Sequence, residues 1–309
     1  MITILMATYN GQKYVAEQIE SILMQSHQNF KLHINDDAST DNTLDILQKY
    51  ASQHSNKIMV TQNSVNSRSA KYNFINMMIG AEDDYVMLCD QDDVWLPNKI
   101  ERTLSKMEEM ELKYGTETPL LVHTDLVVVG EDIGQIISPS YRQAMNSDYG
   151  RVQLRDQIIQ NTLTGCTAMY NRSLAKFVNA KPDFLVMHDW WLMLVASAFG
   201  KIGSLDEQTT LYRQHGNNSI GAYDVRTVSY CVSKLRRYTE IKTALDETYL
   251  QAQSLLSMYR NRLSDDQVEL LEEYCRIPSM SKTKRIQTIF RLGTLKNGIL
   301  RRIANIIFV

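Results

Sequence analysis

Asp83-Asp84-Tyr85-Val86-Met87-Leu88-Cys89-Asp90-Gln91-Asp92-Asp93-Val94-Trp95 holds the key to this chain. Tyr85 to Leu88 has the pattern of a short buried strand, and it runs directly into three carboxylates. Charged groups are costly to bury but are readily aimed at a ligand in the crevice above the carboxyl ends of a sheet. Oxygen-only donors in a D-x-D spacing suit a hard divalent cation, with water and phosphate completing its coordination. The plainer alternative is an acidic turn that opens the next helix, with Pro97 at the first helical position.

The flanking sequence favours the sheet. Ile2 to Ala7 is a continuous apolar run suited to a buried parallel strand. Val15, Ile19, Ile22 and Leu23 then recur at helical spacing. Phe30 to Ile34 reads as a second strand, ending at Asn35-Asp36-Asp37. A helix follows, capped by Ser39 or Asp41 and turning Ile46, Leu47 and Tyr50 inward. Lys57 to Gln62 is a third strand and Lys71 to Ile79 a helix. After Pro97, Ile100, Leu104 and Met107 share a helical face, and Leu120 to Val129 is another strand. Strands alternating with helices predict βαβ units and a mostly parallel sheet with helices on both faces. The acidic clusters at Asp36-Asp37 and at Asp90 to Asp93 would then share one end of it.

Thr164 to Tyr170 and Thr209 to Arg213 are further strand-like runs, and Phe184 to Phe199 is an apolar helix interrupted by His188-Asp189. Asp224 to Cys275 reads as long helix, Pro278 interrupts it, and Lys282 to Val309 reads as one amphipathic helix. With 309 residues, a net charge of −2 and 44% apolar residues, the chain is an ordinary folded protein, not a nucleic-acid binder. The cysteines Cys89, Cys166, Cys231 and Cys275 form no C-x-x-C pair, which argues against a zinc site or redox dithiol. Met1 leads straight into a strand without a signal-peptide pattern, and no apolar run has the ~18 residues a spanning helix needs. The expected location is the cytoplasm, peripheral on the inner face of the plasma membrane.

Four further constellations carry chemistry. At Thr8-Tyr9-Asn10-Gly11 a strand meets a helix start whose N–H groups can face ribose or phosphate; a cap and turn is the simpler reading. There is no G-x-G-x-x-G and no P-loop. In Asp36-Asp37-Ala38-Ser39-Thr40-Asp41, closing the second strand, a carboxylate can accept a hydrogen bond from the N3–H of uracil or thymine, and helix capping by Ser39 or Asp41 is compatible with that. Asp189, in apolar surroundings, is a general-base candidate, or else the cap of its helix. Trp190 and Trp191 beside it offer a wall on the acceptor side, with a core role expected for at least one. In Tyr212-Arg213-Gln214-His215-Gly216-Asn217-Asn218, Arg213 could face phosphate and His215 could add a nitrogen ligand to the metal.

TYNG, DDASTDNT, CDQDDVWLP, HDWW and YRQHGNN, in this order over roughly residues 1 to 220, resemble family 2 glycosyltransferases of the A-type fold. The DQDDVW form looks most like bacterial rhamnosyltransferases of the streptococcal rhamnan type. The resemblance implies an α/β fold with a mostly parallel nucleotide-diphospho-sugar-binding sheet flanked by helices. It assigns Thr8, Tyr9, Asn10, Asp37 and Asp90 to the nucleotide sugar, and Asp90, Asp92 and His215 to Mn²⁺ or Mg²⁺. Asp189 matches the catalytic base, and Lys71 matches, loosely, an arginine that faces the diphosphate. Two departures stand out: His188-Asp189 where many relatives have Glu-Asp, and Ala38 where they have Gly.

The resulting expectation is a catalytic domain over 1–222 and a helical C-terminal extension over 223–309, serving a membrane surface or dimerisation. The activity expected is an inverting, metal-dependent transfer of L-rhamnose from dTDP-rhamnose to a lipid-linked saccharide. A UDP-hexose transferase for capsule or exopolysaccharide and a non-catalytic nucleotide-sugar-binding scaffold are the rivals. After Glu273 there is no acidic residue, while Lys282, Lys284, Arg285, Arg291, Lys296, Arg301 and Arg302 accompany a set of isoleucines at helical spacing. That pattern predicts contact with an anionic membrane surface, with packing on the chain itself or on a second copy as the alternative.

Overall fold

The computed structural model describes residues 1–81, 83–216 and 238–309. Asn217, Asn218, Cys231 and the Asp224 end of the expected long helix lie outside the described residues. The chain divides into two compact units. One holds Met1–Tyr141, Leu163–Lys181 and the described part of Lys201–Gly221; the other holds Arg142–Thr162, Pro182–Gly200 and the described part of Ala222–Val309. The expected single cut near residue 222 is thus replaced by an interleaved division.

The first unit is a sheet flanked by helices. Its strands are β1 (Ile2–Thr8), β2 (Phe30–Asp36), β3 (Ile58–Gln62), β4 (Tyr85–Cys89), β5 (Val94–Trp95), β6 (Leu120–Val129), β7 (Ile136–Ser138), β8 (Ala168–Asn171) and β9 (Lys201–Arg213). They run in the order β3-β2-β1-β4-β8-β6-β9-β5, with β7 on β6. The β3-β2-β1-β4 half is wholly parallel, as is the long β6–β9 ladder, so most paired residues lie in parallel register. β1 is buried along its whole length, as a continuous apolar run between two covered faces must be. Ile4, Met6, Leu32, Ile34 and Met87 join Ile19 and Ile22 of α1 (Val15–Leu23) and Ile100 and Met107 of α4 (Lys99–Tyr114) in one core. Thr8 pairs with Asp36, and Met6 with Cys89. The parallel register therefore delivers both acidic clusters to the same end of the sheet.

Two readings change around α4. Pro97 is not its first residue: the helix begins at Lys99, flanked by Asn98. The Pro97 carbonyl accepts from Ser26 N–H at 2.7 Å and the Leu96 carbonyl from Gln25 Nε2 at 2.7 Å, so this segment is used to tie down the end of α1. Val94–Trp95, which carries no strand signal of its own, pairs antiparallel with Leu211 and Thr210. Ser39 and Asp41 likewise do not cap α2 (Thr43–Gln53): Asn42 precedes it, and Asp41 instead accepts from the Thr43 N–H at 3.0 Å.

In the second unit the apolar segment forms a helix over His188–Phe199. The expected long helix is two, Tyr238–Tyr259 and Asp265–Arg276, the second opened by a Ser264–Gln267 capping box. The expected final helix is also two, Lys282–Leu292 and Ile299–Phe308. Gly293 closes the first in the left-handed conformation, φ +70°, which ends an α-helix at little cost only for glycine.

Lys99 is completely buried, and among the described residues its ammonium makes no hydrogen bond to a carboxylate. Its Nζ donates to Thr209 Oγ1 and Thr210 Oγ1 at 3.2 and 2.9 Å and lies 4.8 Å from the Trp95 ring. Burial lowers its ammonium from the ordinary 10.5 to about 8, against the raising influence of Cys166, Cys89 and Asp93. With a lowered folded-state value, the unfolded chain binds the extra proton between these limits, so the Lys99 contribution to stability rises as pH goes from 8 to 10.5. Lys99→Met should therefore lose that rise. Melting temperatures of both proteins measured from pH 7 to 10 check it, and parallel profiles would contradict the buried-ammonium account.

Candidate active site

Three loops meet at the carboxyl ends of β1, β2 and β4. Asn10 takes a left-handed backbone, φ 48°, which asparagine tolerates. Its Oδ1 accepts from Thr40 N–H at 2.8 Å, and its own N–H donates to Ser39 Oγ at 2.9 Å. Gly11 N–H donates to Thr43 Oγ1 at 2.8 Å. Thr8 is buried, with its hydroxyl on Asp36 Oδ1 at 3.1 Å, while Tyr9 is exposed. Asp36 also accepts from the Ser39 N–H and hydroxyl. The first two loops are thus zipped together by side chain to backbone bonds.

Gln91, the middle residue of D-x-D, ties in the third loop. Its Oε1 accepts from Tyr9 N–H at 2.9 Å and its Nε2 donates to Tyr9 O at 3.0 Å, as a neighbouring strand would. A Cβ on Gly11 would lie 2.2 Å from Gln91 Oε1, so the glycine makes room for this side chain. Sequence reading passed over Gln91, because nothing in a one-residue spacer marks it as a fastener.

Asp37 is buried and anchors the loop after β3. It accepts from Asn63 Nδ2 at 2.6 Å, Ser67 N–H at 2.9 Å and Ser67 Oγ at 2.7 Å. Oδ1 takes the two N–H donors and Oδ2 only the Ser67 hydroxyl, so one lone pair of Oδ2 remains for a ligand. Lys71 sits in the first turn of α3 (Ala70–Met78), with its ammonium 5.2 Å from the Tyr72 ring and Lys181 4.8 Å from the same ring.

At the metal-ligand candidates, His215 Nε2 lies 2.8 Å from Asp92 Oδ2. Tyr14 stacks on the His215 ring at 4.8 Å, and the Arg213 guanidinium lies 4.7 Å from the Tyr14 centroid on the same ring system. Arg213 is buried. It donates to the Asp92 carbonyl at 2.9 Å, to the Glu131 carbonyl at 2.6 Å and to the Glu17 carboxylate. Its backbone N–H donates to Asp93 Oδ1 at 3.1 Å. The expectation that Arg213 faces phosphate is corrected accordingly: these bonds make it a brace that fixes Asp92 and the Tyr14–His215 stack.

Asp90, Asp93 and Cys166 form a second cluster, with ligand atoms within 4.8 Å of one another. Burial, then the charges of Asp92 and Asp90, push the Asp93 carboxyl well above the usual carboxylate range. Burial likewise raises the Cys166 thiol. A hard cation favours oxygen donors, which Asp90, Asp92 and Asp93 offer, with the His215 imidazole beside Asp92; among the described residues the three-residue cluster is Asp90, Asp93 and Cys166.

Asp189, Trp190 and Trp191 belong to the second unit. Asp189 is the second residue of its helix, and Met187 occupies the capping position, so Asp189 is not the cap. It is buried, its Oδ1 accepts from Trp190 N–H at 2.6 Å, and a helix N-terminus favours a carboxylate there. The segment leading to it is held by the helix Tyr238–Tyr259: Phe184 N–H donates to Ser254 Oγ at 2.9 Å and Val186 N–H to Gln251 Oε1 at 2.8 Å. Burial takes the neighbouring His188 imidazole down to about 3, so it is neutral at ordinary pH. Trp191 is fully buried and stacks with Tyr259 at 6.3 Å, which makes it core rather than an acceptor-side wall. Trp190 is half-buried and donates from Nε1 to the Gln157 carbonyl at 2.6 Å.

This arrangement, a mostly parallel sheet flanked by helices whose strand ends carry two acidic loops, is the A-type glycosyltransferase fold. The model of glycosyl transferase family 2 matches residues 3–177, and the chain belongs to that family. It is similar to the dTDP-rhamnosyl transferase RfbG of Shigella flexneri, 28% identical over 70% of this chain and 74% of the relative. Among solved structures it resembles S. aureus TarS in complex with UDP, TM-score 0.59 at 18% identity, covering 91% of this chain and 73% of that one. It also resembles the mannosyltransferase PcManGT of Pyrobaculum calidifontis in complex with GDP-Man and Mn²⁺. There the TM-score is 0.53 at 14% identity, over 95% of this chain and 85% of that one.

Ala38 has φ 57°, left-handed backbone that costs an L-residue with a Cβ roughly 1–2 kcal/mol. Part of that cost is offset by the greater freedom glycine has when unfolded. Ala38→Gly should stabilise the protein by about 0.5–1 kcal/mol, read as a higher denaturation midpoint. A lower midpoint would contradict the strain.

Proposed function

We propose that this protein is an inverting glycosyltransferase that moves L-rhamnose from dTDP-β-L-rhamnose to a lipid-linked saccharide in surface polysaccharide synthesis. The observation that carries the reading is the pairing of Asp92 with His215 in the D-x-D loop, at the sheet end where the Thr8–Gly11 and Asp36–Asp41 loops are fastened together. The donor assignment is supported by the likeness to RfbG. Mn²⁺ or Mg²⁺ held by Asp90, Asp92 and His215 would offset the charge on the departing nucleoside diphosphate. Thr8, Tyr9, Asn10 and Asp37 receive the nucleotide, with the remaining lone pair of Asp37 Oδ2 meeting the N3–H of the base.

In the reaction the acceptor hydroxyl oxygen attacks the anomeric carbon as the bond to the diphosphate oxygen breaks. The leaving group departs with the bonding pair, and the hydroxyl proton passes to Asp189. One displacement inverts the centre, so a β-donor gives an α-linkage, and no nucleophilic side chain is needed. The neighbouring His188 is neutral at ordinary pH.

A UDP-hexose donor is the second reading, supported by the UDP complex of the TarS neighbour. Purified full-length protein assayed with dTDP-rhamnose and a set of UDP-hexoses separates the two. Transfer from a UDP-hexose alone would reject rhamnose. Asp189→Asn should keep donor affinity while kcat falls at least ~10²-fold, the usual scale of general-base catalysis. A variant with wild-type kcat would remove Asp189 from the reaction.

A further inference from the structure

The helix Ile299–Phe308 is mounted with its apolar face outward. Ile299, Leu300, Ile303 and Ile307 are 78%, 48%, 48% and 53% exposed, whereas Asn305 is 4% exposed. Spacings of three, four and eight put the four exposed side chains on one stripe. A helix serving only its own unit would turn that stripe in and Asn305 out. The mounting is held in place. Lys282 Nζ donates to the Ile306 and Val309 carbonyls at 3.1 and 2.7 Å, satisfying the helix end. The connection before it is fastened by Asn297 N–H on Gln160 Oε1 at 2.7 Å and by Arg151 on the Leu295 carbonyl at 2.6 Å.

The charges around the stripe select its occupant. No acidic residue follows Glu273 in the sequence. Lys282, Arg285 and Arg291 are engaged within the chain, by the helix end, by the Met280 carbonyl and by Glu273. Lys284 and Arg302 are exposed beside the helices, and Phe290 is 53% exposed on the preceding one. A second copy of this surface would bring like charges together. An anionic lipid surface supplies both the apolar layer and the counter-charge. Among the described residues no helix is long and apolar enough to cross a membrane, so contact is in the plane.

We propose that Ile299, Leu300, Ile303 and Ile307 form an interfacial anchor that seats the protein on anionic bilayers. The anchor does not depend on which sugar is transferred. Full-length protein is sedimented with phosphatidylcholine vesicles and with phosphatidylcholine–phosphatidylglycerol vesicles. The wild type should partition onto the anionic vesicles, and the double variant Ile303→Asp/Ile307→Asp should bind them at least ~10-fold more weakly at an unchanged melting temperature. Arg302→Glu should weaken binding to the anionic vesicles while leaving the neutral ones unaffected. A wild type that stays in the supernatant, or a double variant that sediments like the wild type, overturns the proposal. So does a double variant that turns a dimer into a monomer without changing vesicle binding, which would make the stripe a subunit interface.

Discussion

Three carboxylates crowded within four residues at the end of β4 are the constraint around which the first unit is arranged. Left alone, Asp90, Asp92 and Asp93 would repel one another at the edge of a low-dielectric core. The fold answers differently for each. Asp93 is turned inward, buried, and shifted toward its protonated form, while accepting the Arg213 backbone N–H. Asp92 is paired with His215, and its backbone carbonyl receives the Arg213 guanidinium. Lys99 adds a buried cationic group behind the loop. A metal shared by Asp90, Asp92 and His215 would complete this compensation. The β6–β9 and β5–β9 ladders together bring Arg213 and His215, more than a hundred residues away, to the loop.

The helical segments in the latter part of the chain contribute more than an appendage would. Ser254 and Gln251 hold the backbone just ahead of Asp189, so the geometry of the proposed base depends on the helix Tyr238–Tyr259. The outward apolar face at the far end of the same unit is a separate feature.

The parallel half of the sheet was legible because β1, β2 and β4 are short apolar runs closed by polar loops, a pattern that burial on both faces imposes. The acidic clusters were legible as strand ends because the carboxylates stand directly after apolar runs. Other parts were not. β9 begins at Lys201, eight residues before the apolar signal at Thr209, since its first half is only partly covered and lacks alternation. β5 is two residues long and exists only through its partner. Arg213 and Gln91 act through backbone contacts across the fold, which no local spacing encodes. The single tail helix was an error of period alone: Gly293, the residue able to end it, stands in plain view. Trp191 shows the reverse case, a residue whose type invites a sugar-stacking role but whose complete burial makes it core.

The central claim is that the crowded carboxylates form a cation site. Calorimetric titration of Mn²⁺ into the full-length protein, with dTDP or UDP present, addresses it directly. One equivalent should bind to the wild type and none to Asp92→Ala, and the variant should fold normally because it loses a like charge at a partly exposed strand end. Equal binding by both proteins, or none by the wild type, would contradict the account.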